Sequence, residues 1–480
     1  MMQDIKKILK ISPVIAFLAI LGNWNLFSED SPGKSVGKDD PRFIFLSDIP
    51  EYPGNVILGK PTDHSVTASI MMNSACKVIV EYGTGTDTKK RSDILKLNAG
   101  EPKEVLLDGL KADTAYSYRI LDADSGKPVL PVTGDYSFHT ARLAGSSFVF
   151  TVQADSHLDG SCAREIYESS IANALSEKPD FHIDLGDTFM TGKIPERQNA
   201  LKQYKAQRYY LGLIGHSAPL FLVIGNHDGE ETFKKEASEK DGLAVWSCEM
   251  RKKYFPNPVP DKFYSGDTEK QKYAGDLQNY YSWTWGDALF VVIDPYWYSC
   301  QTNGGTAPWN MTIGKIQYDW LSETLRNSHA KFKFIFIHQL VGGLDKGGRG
   351  GTEAAGLYEW GGHEKDGKDT FAANRPGWQK PIHDLLVETG VTMVFHGHDH
   401  FFAKQEKDGI IYLLVPQAAN RNFKKHQAEE YGYEKGEFLP NSGHMKVTVT
   451  PKGVSSEYIR SSIANIRNPP PSRPVPRDSR

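Results

Sequence analysis

The chain has 480 residues, enough for two or three domains with separate cores. Its 56 Lys and Arg nearly balance 59 Asp and Glu, a formal −3, so the charge calls for neither nucleic acid nor an anionic membrane as partner. Four scattered cysteines (Cys76, Cys162, Cys248 and Cys300), none in a C-x-x-C pair, exclude a disulfide framework and a cysteine-based zinc or redox site. One Cys248–Cys300 bridge in an oxidising compartment, or two unpaired buried thiols, both fit.

In chain order, Lys6, Lys7 and Lys10 precede an apolar run from Ile11 to Gly22 and then a polar stretch. This is the layout of a secretory signal, too short to span a bilayer comfortably, with an uncleaved anchor as the competing reading. Residues 1–28 are therefore expected to be a signal peptide. The mature chain is expected to be secreted or periplasmic and to have no transmembrane segment. Residues 29–40, rich in Ser, Gly, Lys and Asp, read as a linker. From 41 to 142 short alternating strands (NVILGK, HSVTASIM, KVIVEYG, KEVLLDG, AYSYRIL, DYSFHT) indicate a β-sandwich. The stretch from Gly109 to Tyr118 resembles the corner of fibronectin type III domains. Tyr116 stands where that family's tyrosine bonds back to the backbone, and Ala112 replaces a frequent proline.

From 145 to 462 strands alternate with helical patterns. The helical segments are CAREIYESSIANALSEK, ERQNALKQYKAQRYYLGLI, QYDWLSETLRNS and KPIHDLLVETG. An aromatic-rich insertion follows Asp228 and contains one hairpin-like pair, YYSWTW and ALFVVID. A glycine-rich stretch, Gly342 to Gly351, implies a mobile or tightly folded loop. Residues 463–480 are rich in Pro, Arg and Ser and expected to be disordered.

Five runs of this second region are apolar and β-branched or aromatic: FVFTVQA, FHIDL, PLFLVI, FKFIFI and VTMVF. Each ends in a polar block. The blocks are Asp155-Ser156-His157, Gly186-Asp187, Gly225-Asn226-His227-Asp228, His338 and Gly397-His398-Asp399-His400. Such runs are buried parallel strands, and open α/β sheets build their sites past the carboxyl ends of strands. Carboxylates, an amide and imidazoles on one rim suit first-row transition metals. Asp187, with two oxygens, can bridge two cations. One cation would take Asp155, His157, Asp187 and His400; the other would take Asp187, Asn226, His338 and His398. Two cations about 3.5–4 Å apart would share a water and make it a hydroxide able to attack phosphorus in line. His227, spare beside Asn226, could protonate the leaving oxygen, with Asp228 orienting its ring.

The order of the blocks resembles the calcineurin-like metallophosphoesterase superfamily, whose pattern runs D-x-H, GD, GNH[D/E], H, GHxH. All five are complete between Asp155 and His400. With the β-sandwich in front, the chain is similar to purple acid phosphatases, and YYSWTWGDALFVVID to their strand pair after the GNH block. The resemblance implies a four-layer α/β/β/α sandwich and a dinuclear hydrolase of small phosphomonoesters or phosphodiesters. The metals would be iron, manganese or zinc. The purple enzymes' GDxxY tyrosine, which ligates ferric iron, is Met190 here, so a colourless enzyme is expected.

Plainer readings compete. His182 inside its strand reads as a core histidine, and His396 and Asp399 as residues behind the ligands. Lys346, Arg349, His363 and Arg375 read as solvated loop charge or as contacts to substrate phosphate, Arg349 and His363 being the substrate-binding candidates. Asn310-Met311-Thr312 is formally a glycosylation acceptor. Rival functions are a phosphodiesterase for cyclic nucleotides or glycerophosphodiesters, and a surface binding protein using the metals as a staple. The spare His227 speaks against a staple. Oligomeric state is open.

Overall fold

The five apolar runs become strands because nearly every side chain in them is buried, on both faces of a sheet. These strands are Phe148–Gln153, Phe181–Asp184, Leu220–Leu222, Phe332–Phe336 and Met393–His396. The computed structural model describes residues 44–85, 89–130, 136–232, 237–299, 308–421 and 425–461. The expected signal peptide, linker and C-terminal tail, and Cys300 of the suggested bridge, lie outside these residues. Cys76, Cys162 and Cys248 are free thiols, the latter two buried.

Two eight-stranded sheets carry the runs. In one, Phe148–Gln153, Phe181–Asp184 and Leu220–Leu222 lie parallel side by side, flanked by the antiparallel hairpin Gly443–Thr450 and Gly453–Arg460. In the other, Ala288–Val292, Phe332–Phe336, Met393–His396 and Ile410–Leu414 run parallel. The hairpin read from YYSWTW and ALFVVID forms as Tyr281–Trp285 and Ala288–Val292. Between the sheets lies an aromatic core that includes Phe150, Phe181, Phe221, Trp283, Phe290, Phe334, Phe336 and Phe395. The Phe221 and Trp283 rings stack at 4.0 Å, and Phe150 meets Phe290 edge-on at 5.1 Å. Helices Arg164–Ser176 and Arg197–Gly215 cover the outer face of the first sheet, and Lys315–Asn327 and Ile382–Glu388 that of the second. The layers are α/β/β/α, as expected. A further helix, Leu243–Tyr254, which the sequence reading left inside the insertion, packs its Tyr254 onto the first outer layer.

The N-terminal region is β-rich, as expected. Its strands Gly54–Gly59, Val66–Met72 and Lys103–Leu107 extend the first sheet, through the parallel pairing of Gly59 with Leu220. The strands Cys76–Gly83, Ala115–Asp122 and Tyr136–His139 form a smaller sheet. Strands of both pack on one core that includes Val56, Ile70, Val80 and Ile120. Tyr116 behaves as the corner residue, its hydroxyl accepting the Lys111 N–H at 2.8 Å. Polar bonds tie the lobe to the rest: Tyr118 Oη donates to His216 O at 2.6 Å, and Asn55 Nδ2 to Arg208 O at 2.7 Å. Among the described residues no helix is long and apolar enough to cross a membrane.

Two histidines of the first sheet, His182 and His444, are fully buried, and burial holds both imidazoles down at about 3. His182 Nδ1 meets Thr151 Oγ1 at 2.8 Å, the core role expected of it. An unfolded histidine takes a proton near pH ~6.5, so this stability is complete above that pH and is lost as pH falls toward the folded value. Each contributes a slope of about 1.4 kcal/mol per pH unit in that window. Thermal melts should decline steadily as pH falls below about 6.5. His444→Gln should make the decline shallower, and an unchanged slope would count against this account.

Candidate metal centre

All five blocks lie on loops at the carboxyl ends of their strands, where the two sheets face each other. The loops approach so closely that side chains are excluded at two positions. A Cβ on Gly225 would stand 2.3 Å from Asp187 Oδ1, and one on Gly397 2.6 Å from Asp155 Oδ2. Five of the expected ligands occupy the left-handed backbone region: Asp155 (φ 51), His157 (φ 47), Asp187 (φ 53), His398 (φ 77) and His400 (φ 60). Each such conformation costs on the order of 1 kcal/mol or more, and clusters of them mark sites that the surrounding structure holds in place. Here the hold is a web of hydrogen bonds. Asp155 N donates to Gly186 O at 3.0 Å, His157 N to Asp187 O at 3.1 Å, and His398 N to Asp155 Oδ2 at 2.9 Å.

The structure brings seven candidates together as two groups that share Asp187. Ligand atoms of Asp155, His157, Asp187 and His400 lie within 4.8 Å of one another, as do those of Asp187, His338 and His398. Asn226 joins the second group, its Oδ1 3.1 Å from His338 Nε2 and 2.9 Å from His398 Nδ1. Within the first, His400 Nε2 is 3.3 Å from Asp155 Oδ1 and His157 Nε2 is 3.5 Å from Asp187 Oδ2.

The donor set fits cations. Asp155 Oδ1 and His157 Nε2 are buried with no hydrogen-bond partner. In the second group each imidazole spends its outer nitrogen on a carbonyl: His338 Nδ1 donates to Leu185 O at 2.9 Å and His398 Nε2 to Gly347 O at 2.6 Å. Once the His338 inner proton is displaced, the inner nitrogens and the Asn226 oxygen converge as lone pairs, a donor set that suits a cation. Burial disfavours a charged His338, but the Asp187 carboxylate outweighs it and pushes the imidazole up to about 9. At His157, burial is likewise outweighed by Asp155, Asp159 and Asp187, which raise its pKa well above the ordinary value.

His227 sits at the rim with 13% of its side chain exposed, Nε2 3.9 Å from Asp187 Oδ2. Its backbone N–H donates to Asp187 Oδ1 at 2.8 Å. Asp228 is buried beside that rim. Its Oδ1 accepts the Phe189 N–H at 2.6 Å, and its Oδ2 accepts those of Gly225 at 2.6 Å and Asp187 at 3.1 Å. Both oxygens thus clamp two loops together.

Among the phosphate-binding candidates, Arg349 lies on the glycine-rich loop, whose Gly347 carbonyl accepts the His398 Nε2 proton. It pairs with Asp345 at 3.1 Å and lies 4.5 Å over the Tyr431 ring. Lys346 is exposed on the same loop. His363 is not brought into the cluster: its Nδ1 donates to Gly361 O at 2.9 Å inside its own turn. Arg375 is committed to the buried Glu359 and to the carbonyls of Trp309 and Met311. Asp399 accepts Tyr433 Oη at 2.7 Å and the Gly350 N–H at 2.9 Å, tying the glycine-rich loop down. Met190 is fully buried.

Sequence reasoning missed two glutamines on the buried face of helix Arg197–Gly215. Gln203 Nε2 donates to His157 O at 2.7 Å, and its Oε1 accepts the Met190 N–H at 2.7 Å. Gln207 Nε2 donates to Thr188 O at 2.7 Å and Ser156 Oγ at 2.9 Å. Their signal was available: polar residues four apart on an otherwise apolar helix face.

The family model described as calcineurin-like phosphoesterase matches residues 148–402. Among solved structures the chain is similar to PhoD, with a TM-score of 0.58 and 15% identity, covering 86% of this chain and 90% of that one. It is also similar to the purple acid phosphatase PPD1 from yellow lupin (Lupinus luteus) seeds, with a TM-score of 0.52 and 13% identity, covering 85% of this chain and 72% of that one. At these identities the likeness is one of fold. No curated protein sequence matches the chain.

Because His338 is held protonated up to about 9, a cation must displace its proton at neutral pH. Titrating Mn²⁺ or Zn²⁺ into metal-free protein at pH 7.5 should therefore release protons. Apparent affinity should climb with pH and level off near 9. Calorimetry in buffers of differing ionisation heat measures the release, and a value of zero would contradict the charge balance described.

Proposed function

Starting from a chain that belongs to the calcineurin-like phosphoesterase family, and so from a phosphoester hydrolase, we propose an exported enzyme with a dinuclear metal centre that cleaves a small phosphomonoester or phosphodiester. The observation that carries the reading is the pair of ligand groups meeting at Asp187. Asp155, His157, Asp187 and His400 would hold one ion, and Asp187, Asn226, His338 and His398 the other. When bound, two such ions bind phosphoryl oxygens as Lewis acids and lower the pKa of a shared water.

The remaining tasks fall to the chain itself. Asp187 fixes the spacing of the two positions. His227, at the open edge with its backbone anchored on Asp187, is placed to give a proton to the leaving oxygen. Arg349, on the loop whose Gly347 carbonyl bonds His398, would exchange Asp345 for a substrate oxygen. No side-chain nucleophile is needed. The metals are proposed to be iron, manganese or zinc, without a tyrosinate ligand. Met190 fills the place of the purple enzymes' tyrosine, and Tyr296, whose ring is 6.2 Å from His338, donates its hydroxyl to Gln339 Oε1 at 2.9 Å. Export rests on the N-terminal lysines and the apolar run after them.

p-Nitrophenyl phosphate and its bis ester, tested across a metal panel, should show turnover and will rank monoester against diester. His227→Ala should keep its metal and lose about 10²–10⁴-fold in kcat. Asp187→Asn should lose both turnover and at least one ion. Metal-replete protein inert on every phosphoester would favour a binding protein, and a visible tyrosinate–iron band would contradict the place given to Met190.

A further inference from the structure

Asp159, two residues beyond His157, is fully buried, and no role in the chemistry has so far fallen to it. One of its oxygens is fully employed: Oδ1 accepts the Ser161 N–H at 2.8 Å and the Ser161 hydroxyl at 2.5 Å. The other, Oδ2, is buried without a hydrogen-bond partner and lies 3.5 Å from His157 Nδ1. A buried carboxylate oxygen with nothing else to bind is costly. The imidazole edge it faces is the one turned away from the metal centre. The opposite edge, Nε2, is the second orphaned atom and faces Asp155 and Asp187 at 3.8 and 3.5 Å.

We propose that Asp159 is a positioning residue that receives the His157 Nδ1 proton and so presents the Nε2 lone pair to the first ion. The inference rests on the two-ion reading above. Imidazole ligands generally need such a partner, which fixes the tautomer and raises the donor strength of the far nitrogen. The second group already has its partners, the carbonyls of Leu185 and Gly347. His157 is the ligand backed by a full negative charge instead. The loop around it is built to keep that charge dry. Leu158 also sits in the left-handed region (φ 53), where the chain turns and Asp159 meets the Nδ1 edge of the ring. From far upstream, Leu46 N donates to Leu158 O at 2.8 Å, and Phe45 pairs with Asp159 as a β-bridge.

The role predicts a one-sided defect. Equilibrium dialysis of the full chain against Mn²⁺ or Zn²⁺, with metal analysis, should find two ions in the parent. Asp159→Ala should weaken one of them by about 10- to 100-fold and leave the other unchanged, with the melting curve of the metal-free protein little altered. Asp159→Asn, which keeps an acceptor without the charge, should fall between. Substituted Co²⁺ should show an altered visible spectrum in Asp159→Ala, because the ligand's tautomer is no longer fixed. Two ions bound at parental strength by both variants would overturn the proposal alone. Equal loss of both ions together with a lowered melting point would overturn it too, by making Asp159 a folding residue. A parent that takes up fewer than two ions would remove the two-ion reading, and the proposal with it.

Discussion

The Asp187 carboxylate is the contact on which the rest of the site depends. Its Oδ1 accepts the backbone N–H of His227, and its Oδ2 lies within 4 Å of His157, His227 and His338. Burial opposes its charge, yet the surrounding imidazoles hold its pKa well below the ordinary carboxylate value. Such a group, fully buried and ionised, would be strongly destabilising without positive partners. In the metal-free chain the imidazoles supply them by taking up protons. With cations bound the same charge is matched by metal. Folding and metal uptake therefore draw on one electrostatic arrangement, and the protons held by His338 and His157 are those a cation replaces.

Holding that carboxylate in place occupies residues with no chemistry of their own. Asp228 clamps the Gly186–Phe189 and Gly225 backbones, while Gln203 and Gln207 reach from the covering helix to the carbonyls and hydroxyl of the ligand loops. The left-handed conformations at Asp155, His157 and Asp187 would relax in an isolated loop. They persist because bonds from several directions over-determine them. A change in the helix Arg197–Gly215 face would thus reach the metal ligands through two glutamines, without touching a ligand.

The extent to which this was legible in the sequence follows the range of the interactions. The five strands and their blocks are local patterns, and the structure has them at the ends of adjacent strands. The gathering of Asp155, His157, Asp187 and His400, and of Asn226, His338 and His398, followed from the rule that parallel strands open their carboxyl ends on one edge. The backbone bonds of Asp228 were not legible, because the donors it serves, Asp187 N and Phe189 N, come from a loop some forty residues earlier in the chain. The N-terminal strands were legible as strands, but the pairing of Gly59 with Leu220 has no signature in either segment. His363 and Arg375 drew attention for lying near glycines. Both turn out to satisfy their own turns and carbonyls.

The division of labour between the two sheets explains why the aromatic core belongs to the functional machinery. The carboxylates and the amide, Asp155, Asp187 and Asn226, all leave strands of the first sheet; His338, His398 and His400 all leave strands of the second. Each ion position therefore needs donors from both. The Phe150, Phe290, Phe334 and Phe395 packing sets the distance between the sheets, and hence that between acids and imidazoles. Stacked sheets sit about 10 Å apart, a gap that side chains reaching from opposite edges can close only at one spacing. A thinner or looser core would leave every ligand present and the centre unformed. Large aromatic rings with few rotamers suit that task better than flexible aliphatic chains, since they fix a thickness as well as fill a volume.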